Sequence, residues 1–342
     1  MEIISLNYTD LRLKTAEKIK SYLALSGHNR LTIGLYKAGR FYVFGDPEEE
    51  ICLRYDIGSV SKTVTAHLIL KLYEEGKLDI NCTADRYLPL KKGKYPTLYQ
   101  LLTHTAGYHH LTPIEVTLPR LIAHRYACKN PYENCTEKTV VKSLERRRFW
   151  TPRVRYGYSD FSAAILAAVA EAVTEKPFSA LFETFIQKEL GLASTTLTED
   201  PEGRRPLAAE GKKILPFWVW KRENPYIAAG GMVSNIRDVL RYISLQIESD
   251  KPYITAAHRV CKESERKNDN HLMCIGWHTY KYSNQLWHVG GVGTFRTSII
   301  LNKKRKLGVA VLGNAKGKSS ANAHYIAKML YSELKNKRIR GM

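Results

Sequence analysis

Strand-like segments lie at both ends of this chain, and helix-like segments lie between them. Residues 31–36 and 41–44 are apolar, β-branched and aromatic runs separated by Lys37-Ala38-Gly39-Arg40, a hairpin turn. Residues 272–281, 285–289, 294–301 and 307–312 are further strand-like runs divided by turns. Between these ends, 97–103, 136–148, 160–175, 177–190 and 235–249 read as helices. An amphipathic helix at 9–25 and a basic helix at 319–336 flank the whole. Strands so far apart in sequence bury their faces most simply by meeting in one sheet. The pattern predicts an α/β chain of the α+β type, built on an antiparallel sheet flanked by terminal helices. A mostly helical subdomain is inserted in it. We place the sheet subdomain at about 1–80 and 230–342 and the helical subdomain at about 81–229, in one domain over 1–342. A cleft between two such parts is a usual place for a site.

Composition bears mainly on what the chain is not. With 44% apolar and 25% charged residues it is globular in type. The net charge of +20 invites a nucleic-acid or membrane-surface role. The basic residues are spread over the whole length, however. Of the two tight clusters, 146–148 and 303–306, the second sits in a turn between two strands and reads as solvated. No nucleic-acid-binding motif accompanies them. Residues 1–10 lack the basic and apolar regions of a signal peptide. The longest apolar run, 161–170, is too short for a membrane span. The six cysteines show no C-x-x-C spacing, which argues against a metal site or a disulfide scaffold and suits a reducing cytoplasm. His104, His109 and His110 have no carboxylate cluster beside them, so no metal is expected. The loop 313–319 has only three residues between its glycines, where a phosphate loop needs four. No cofactor is implied.

Ser59-Val60-Ser61-Lys62 carries the chemistry. One helical turn puts Ser59 Oγ and Lys62 Nζ on the same face, and a basic neighbour activates a hydroxyl that is otherwise a poor nucleophile. The same spacing occurs at Ser264/Lys267 and Ser332/Lys335, so context has to separate the three. Ser264 lies in a polar, solvated run and Ser332 in a basic C-terminal helix. Ser59 precedes Val60, Val64, Leu68 and Leu72, an apolar stripe that should end near Gly76. Its place at a buried helix N-terminus favours developing negative charge. The plainer alternative for Ser59 is a helix N-cap.

Two later segments supply partners. In Tyr156-Gly157-Tyr158-Ser159-Asp160, a tyrosine beside a lysine ammonium can act as a base. A packed core tyrosine is the alternative. In Trp287-His288-Val289-Gly290-Gly291-Val292-Gly293, glycines let a ligand approach the backbone, whose N–H groups can hold an oxyanion. The alternative there is a bulged hairpin.

These three segments, in this order, resemble the serine β-lactamase and penicillin-binding-protein superfamily. Specifically they resemble its class C β-lactamase-like branch of D,D-peptidases, D-aminopeptidases and esterases. Residues 58–63 through 75–79 are similar to that family's nucleophile helix and its exit. Leu101-Leu102-Thr103-His104-Thr105-Ala106-Gly107-Tyr108 and Ala229-Gly230-Gly231-Met232-Val233-Ser234 resemble further family segments. The similarity runs from about residue 30 to 315.

The resemblance implies a β-lactamase/transpeptidase-like fold and a set of roles. Ser59 would be acylated, and Lys62 would position it and share its proton. Tyr158 would be general base and would protonate the leaving group. His288-Val289-Gly290 would edge the cleft, and the N–H groups of Ser59 and Gly291 would form the oxyanion hole. His104 would be structural. Two positions depart from the family pattern. Asp160 stands where asparagine is usual; it pairs with Lys62 or, alternatively, reads a substrate amine. His288 stands where many β-lactamases carry lysine, and would hold a substrate carboxylate more weakly.

The expectation is a cytoplasmic serine hydrolase (peptidase, amidase or esterase) acting on amide or ester bonds of small molecules or short peptides, with or without D-residues. An acyltransferase using the same acyl-enzyme in natural-product tailoring, and a β-lactam-binding sensor or other non-catalytic binding protein, are the alternatives. Specificity should rest on 108–155 and 200–226.

Overall fold

The computed structural model describes residues 1–108, 129–147, 156–197, 203–210, 213–266, 270–316 and 322–342. His109, His110 and Lys267, named above, lie outside the described residues, as do one of the six cysteines, Cys128, position 148, positions 317–319 of the loop 313–319, much of the stretch 108–155 and positions 200–202 and 211–212 of 200–226. In chain order the strands are β1 (Ile3–Leu6), β2 (Leu31–Lys37), β3 (Arg40–Phe44), β4 (Tyr55–Asp56), β5 (Thr196–Leu197), β6 (Ala209–Glu210), β7 (Lys213–Ile214), β8 (Met232–Ser234), β9 (Val260–Arg266), β10 (His271–Cys274), β11 (His278–Tyr280), β12 (Leu286–Val292), β13 (Phe295–Asn302) and β14 (Leu307–Gly313).

Nine of them form one sheet in the order β1-β3-β2-β14-β13-β12-β11-β10-β9. The two ends of the chain thus meet where β14 pairs with β2. The sheet is antiparallel except at one edge, where β1 runs parallel to β3, a strand and a direction that the sequence pattern did not signal. The expected run 272–281 is two strands, because Gly276 turns the backbone at φ +77 between them. β9 was also unforeseen. Ser264, expected in a solvated run, is buried there; its hydroxyl donates to the Cys261 carbonyl at 2.6 Å and accepts from Met273 N at 2.7 Å. That bond sits at the irregular β9–β10 register, which shifts between His271 and Met273.

Each face of the sheet carries a core. On one, Ile19 and Tyr22 of the helix Leu13–Leu23 and Ile326, Leu330 and Leu334 of the helix Ala323–Lys335 pack on Ile33, Val309 and Val311. The first of these helices begins later than expected because Arg12 is extended. The other face meets the helices Ser61–Glu74 and Ile236–Glu248, and through the former the helix Asp160–Thr174. Ser61–Glu74 is buried almost all round, which marks it as the central helix. It ends before Gly76, whose φ of +71 suits glycine. The helix Phe178–Thr184 runs on into a π-helical turn, Phe185–Glu189. A small sheet, β4-β8-β5, joins the central helix's entry to the rest. The five cysteines among the described residues are free. Among those residues no helix is long and apolar enough to cross a membrane.

Candidate active site

Ser59 lies in a short 3-10 turn, Gly58–Val60, that feeds directly into the helix Ser61–Glu74. That place corrects the N-cap alternative: Val60 is the helix's N-cap residue, and no side-chain cap bond is made there. The turn is pinned from below. Ser61 Oγ donates to Gly58 O at 2.7 Å and accepts from Met232 N at 3.3 Å, and Ile57 N donates to Met232 O at 3.0 Å. Gly58 takes φ +53 beside the backbone of Gly291; a Cβ there would stand 2.6 Å from Gly291 N.

Lys62 Nζ donates to Ser59 Oγ at 2.9 Å and to the Ala229 carbonyl at 2.7 Å, and lies 2.6 Å from Asp160 Oδ1. Its side chain is 4% exposed. Burial pulls this ammonium down, but the Asp160 carboxylate and then Tyr158 outweigh burial and leave its pKa raised. Asp160 is brought to it by the first turn of Asp160–Thr174, a helix capped by Ser159, whose Oγ accepts from Ser162 N at 3.2 Å. Of the two readings of Asp160, the pairing with Lys62 is the one these distances show.

Tyr158 completes the cluster. Its phenol hydrogen-bonds with Lys62 and Ser59, and the Lys62 ammonium stands 5.0 Å from its ring centre. Burial raises its pKa; Lys62 opposes this, Asp160 adds to it, and the net direction is up, so the resting group is a phenol. His104 holds the approach to it. His104 Nδ1 accepts from Ser159 N at 3.3 Å, its carbonyl accepts from Gly157 N at 2.8 Å, and its ring lies 4.7 Å from that of Tyr158.

β12 passes alongside. β11 pairs with it only at His278↔Trp287, so among the described residues the outer edge of 288–292 has no strand partner. A Cβ on Gly290 would stand 3.3 Å from Ser59 N. The backbones of Ser59 and Gly290-Gly291 therefore adjoin, as two converging N–H donors require. His288 differs from expectation. Its ring is fully buried, 4.8 Å from that of His278, with Nδ1 2.8 Å from the Val289 carbonyl. Burial and the nearby Lys62 charge push its pKa down to about 3. It is a neutral buried imidazole, so it offers a substrate carboxylate no partial charge.

Ser59, Tyr158, Asp160, Gly290 and Gly291 all line a cleft of about 1010 Å³. Three aromatic residues, Tyr132, Trp218 and Trp220, line it too. These three, the Ala229 carbonyl and His278 were not singled out from the sequence. Ala229 falls in a quoted family segment, but among 21 tyrosines nothing marks Tyr132. Among the described residues no cluster of His, Cys, Asp and Glu is arranged to hold a metal.

The model of the family described as Beta-lactamase matches residues 53–331. Protein flp of Staphylococcus aureus (strain MW2) is 22% identical over 298 residues, covering 81% of this chain and 55% of that protein. The chain spans about half the length of the curated relatives it matches. Among solved structures, a D-stereospecific amidohydrolase from Streptomyces sp. is 23% identical, with TM-score 0.68 over 90% of this chain and 96% of that one. A class C beta-lactamase is 15% identical, with TM-score 0.74 over 94% of this chain and 96% of that one. These structures share the fold.

Proposed function

We propose, for a chain that belongs to the Beta-lactamase family, a serine hydrolase that opens amide or ester bonds of small molecules or short peptides, including peptides with D-residues, through an acyl-enzyme on Ser59. The observation that carries this reading is the contact of Lys62 Nζ with Ser59 Oγ at 2.9 Å, beside Asp160 at 2.6 Å. The D-residue element is taken from the Streptomyces amidohydrolase.

In the first half-reaction Ser59 Oγ attacks the substrate carbonyl carbon. Its proton passes to the Tyr158 oxygen as Tyr158 gives its own proton to the leaving nitrogen or oxygen, and the bond from carbon to that atom breaks. A phenol that rests protonated suits such a shuttle, because it needs no free phenolate. Lys62, kept charged by Asp160, holds both oxygens in place. The N–H groups of Ser59 and Gly291 face the carbonyl oxygen as it gains charge. In the second half water adds to the acyl carbon, gives its proton to Tyr158, and Tyr158 returns one to Ser59 Oγ as the ester bond breaks.

The neutral, buried His288 offers no cation to a substrate carboxylate, a part that Arg296 and Lys316 of the same cleft are placed to take instead. The test is intact-protein mass spectrometry after exposure to a fluorophosphonate, a penicillin and a panel of D- and L-aminoacyl esters and amides. An adduct or product that disappears in Ser59→Ala is expected. Unchanged labelling of Ser59→Ala sinks the assignment of the nucleophile. No adduct from any probe in the folded parent turns the reading towards a binding protein.

A further inference from the structure

Tyr132 comes from a segment that no motif marks, yet it is fixed from every side. Its N–H donates to Asn130 Oδ1 at 2.9 Å, and its carbonyl accepts from Asn224 Nδ2 at 2.6 Å. Asn130 is itself tied down, its Nδ2 donating to the Val219 carbonyl at 2.7 Å. The Tyr132 ring stacks on that of Tyr226, with centres 4.3 Å apart and planes 8° apart, and runs nearly parallel to Trp220. Only 4% of the residue is exposed. Out of this clamp the phenol oxygen donates to Asp160 Oδ2 at 2.8 Å. The other oxygen of the same carboxylate is the one 2.6 Å from Lys62.

We propose that Tyr132 is a positioning residue. It holds Asp160 Oδ2 and thereby aims Oδ1 at Lys62, which keeps the ammonium between Ser59 and Tyr158. The inference rests on the serine hydrolase reading above. Its physical basis is the geometry of a carboxylate. One oxygen fixed by a rigid donor leaves the other with a single direction, and a buried carboxylate oxygen that loses its donor takes up a proton more readily. An ionised aspartate accepts from Tyr132 and Lys62 at once and adds a charge for the ammonium, whereas an asparagine would offer only one acceptor oxygen. Burial, and then the Asp160 charge, raise the Tyr132 phenol well above its ordinary range, so it stays a donor. The titratable and charged groups around this centre are Lys62, Tyr158, Tyr226, His104, His278 and His288.

The experiment is Tyr132→Phe in the full chain, which keeps the ring and removes only the hydroxyl. Hydrolysis of the best ester of the panel, and labelling by a fluorophosphonate, are followed across pH. The expected result is kcat lower by about tenfold with KM within about twofold, and the acid limb of the profile moved to higher pH. In an Asp160→Ala background Tyr132→Phe should add nothing further. If Tyr132→Phe does not fold, Asn224→Ala loosens Tyr132 while leaving its hydroxyl, and should give a smaller shift in the same direction. A pH profile superimposable on the parent's in the folded variant overturns the proposal, because lost packing alone would lower stability without moving that limb. The two readings fail separately. Turnover that survives Ser59→Ala ends the assignment of Ser59 as the nucleophile, whereas a silent Ser59→Ala with an unaffected Tyr132→Phe ends only this one.

Discussion

A Cβ built on Gly290 would stand 1.9 Å from the carbonyl oxygen of Ile57, two residues ahead of Ser59. The strand and the nucleophile turn are therefore in backbone-to-backbone contact, with no flexible side chain able to yield. Gly290→Ala is expected to push Ser59 off its line and slow adduct formation by about 100-fold. Gly291→Ala is the control. Its nearest neighbour is the Arg296 side chain at 3.3 Å, which can move, so labelling within about tenfold of the parent is expected. Timed mass spectrometry of both variants checks the contrast, and equal rates would refute it.

Asp160 is the largest influence holding the Lys62 pKa up against burial. A raised pKa means that the ion pair's stability is fully present below the ordinary lysine value of 10.5 and is lost as pH rises through the higher folded value. Asp160→Asn removes that support, so burial prevails and Lys62 loses its proton at lower pH. The basic limb of the pH–rate profile should move down, and folding stability at neutral pH should fall by about 3 kcal/mol. Denaturant titration and the rate profile measure the two effects. A basic limb that stays in place would show that Lys62 does not depend on Asp160.

Much of this molecule can be read before the structure is seen. The hairpin of β2 and β3, the late strands and the helix after Ser59 follow from period and turn residues, which are local properties. β1 and β9 do not. β1 is a four-residue edge, and β9 (Val-Cys-Lys-Glu-Ser-Glu-Arg) is polar because only Cys261 and Ser264 face inward. At the candidate site, the meeting of Ser59, Lys62 and Tyr158 was legible because helical spacing and motif order carry it. Tyr132 was not, since its role comes from a contact 28 residues away in sequence, to Asp160. The charge state of His288 was equally hidden, because burial sets it and the residue type says nothing of burial.

His288 gives an acid-stability prediction. Its folded pKa of about 3 lies below the ordinary 6.5, so the stability of keeping it neutral is present above 6.5 and is lost as pH falls from there towards 3. His67, also pushed to about 3 by burial, and His258 and His324, at about 4, act in the same window. The parent should weaken steeply between pH 6.5 and 4. His288→Phe should remove one proton's share of that slope, at most about 1.4 kcal/mol per pH unit. Urea midpoints at several pH values measure it, and an unchanged slope would mean that His288 charges without cost.

Asp56 and Arg205 form a buried ion pair at 3.2 Å, with side-chain exposures of 2% and 10%. Asp56 ends β4, three residues before Ser59, and Arg54 N donates to the Arg204 carbonyl at 3.1 Å, so the segment around 205 clasps the approach to the nucleophile. The Arg205 guanidinium also lies 4.7 Å from the ring centre of Phe217, next to Trp218 of the cleft wall. Asp56→Ala removes one partner of this buried ion pair and should cost about 3 kcal/mol of stability. Replacing both partners, in Asp56→Ala with Arg205→Met, should recover most of that loss, because no charge is then left uncompensated. Chemical denaturation of the two single variants and the double variant gives the coupling. Purely additive losses would show that the pair contributes nothing as a pair, and that the clasp on Ser59's approach is held by the backbone alone.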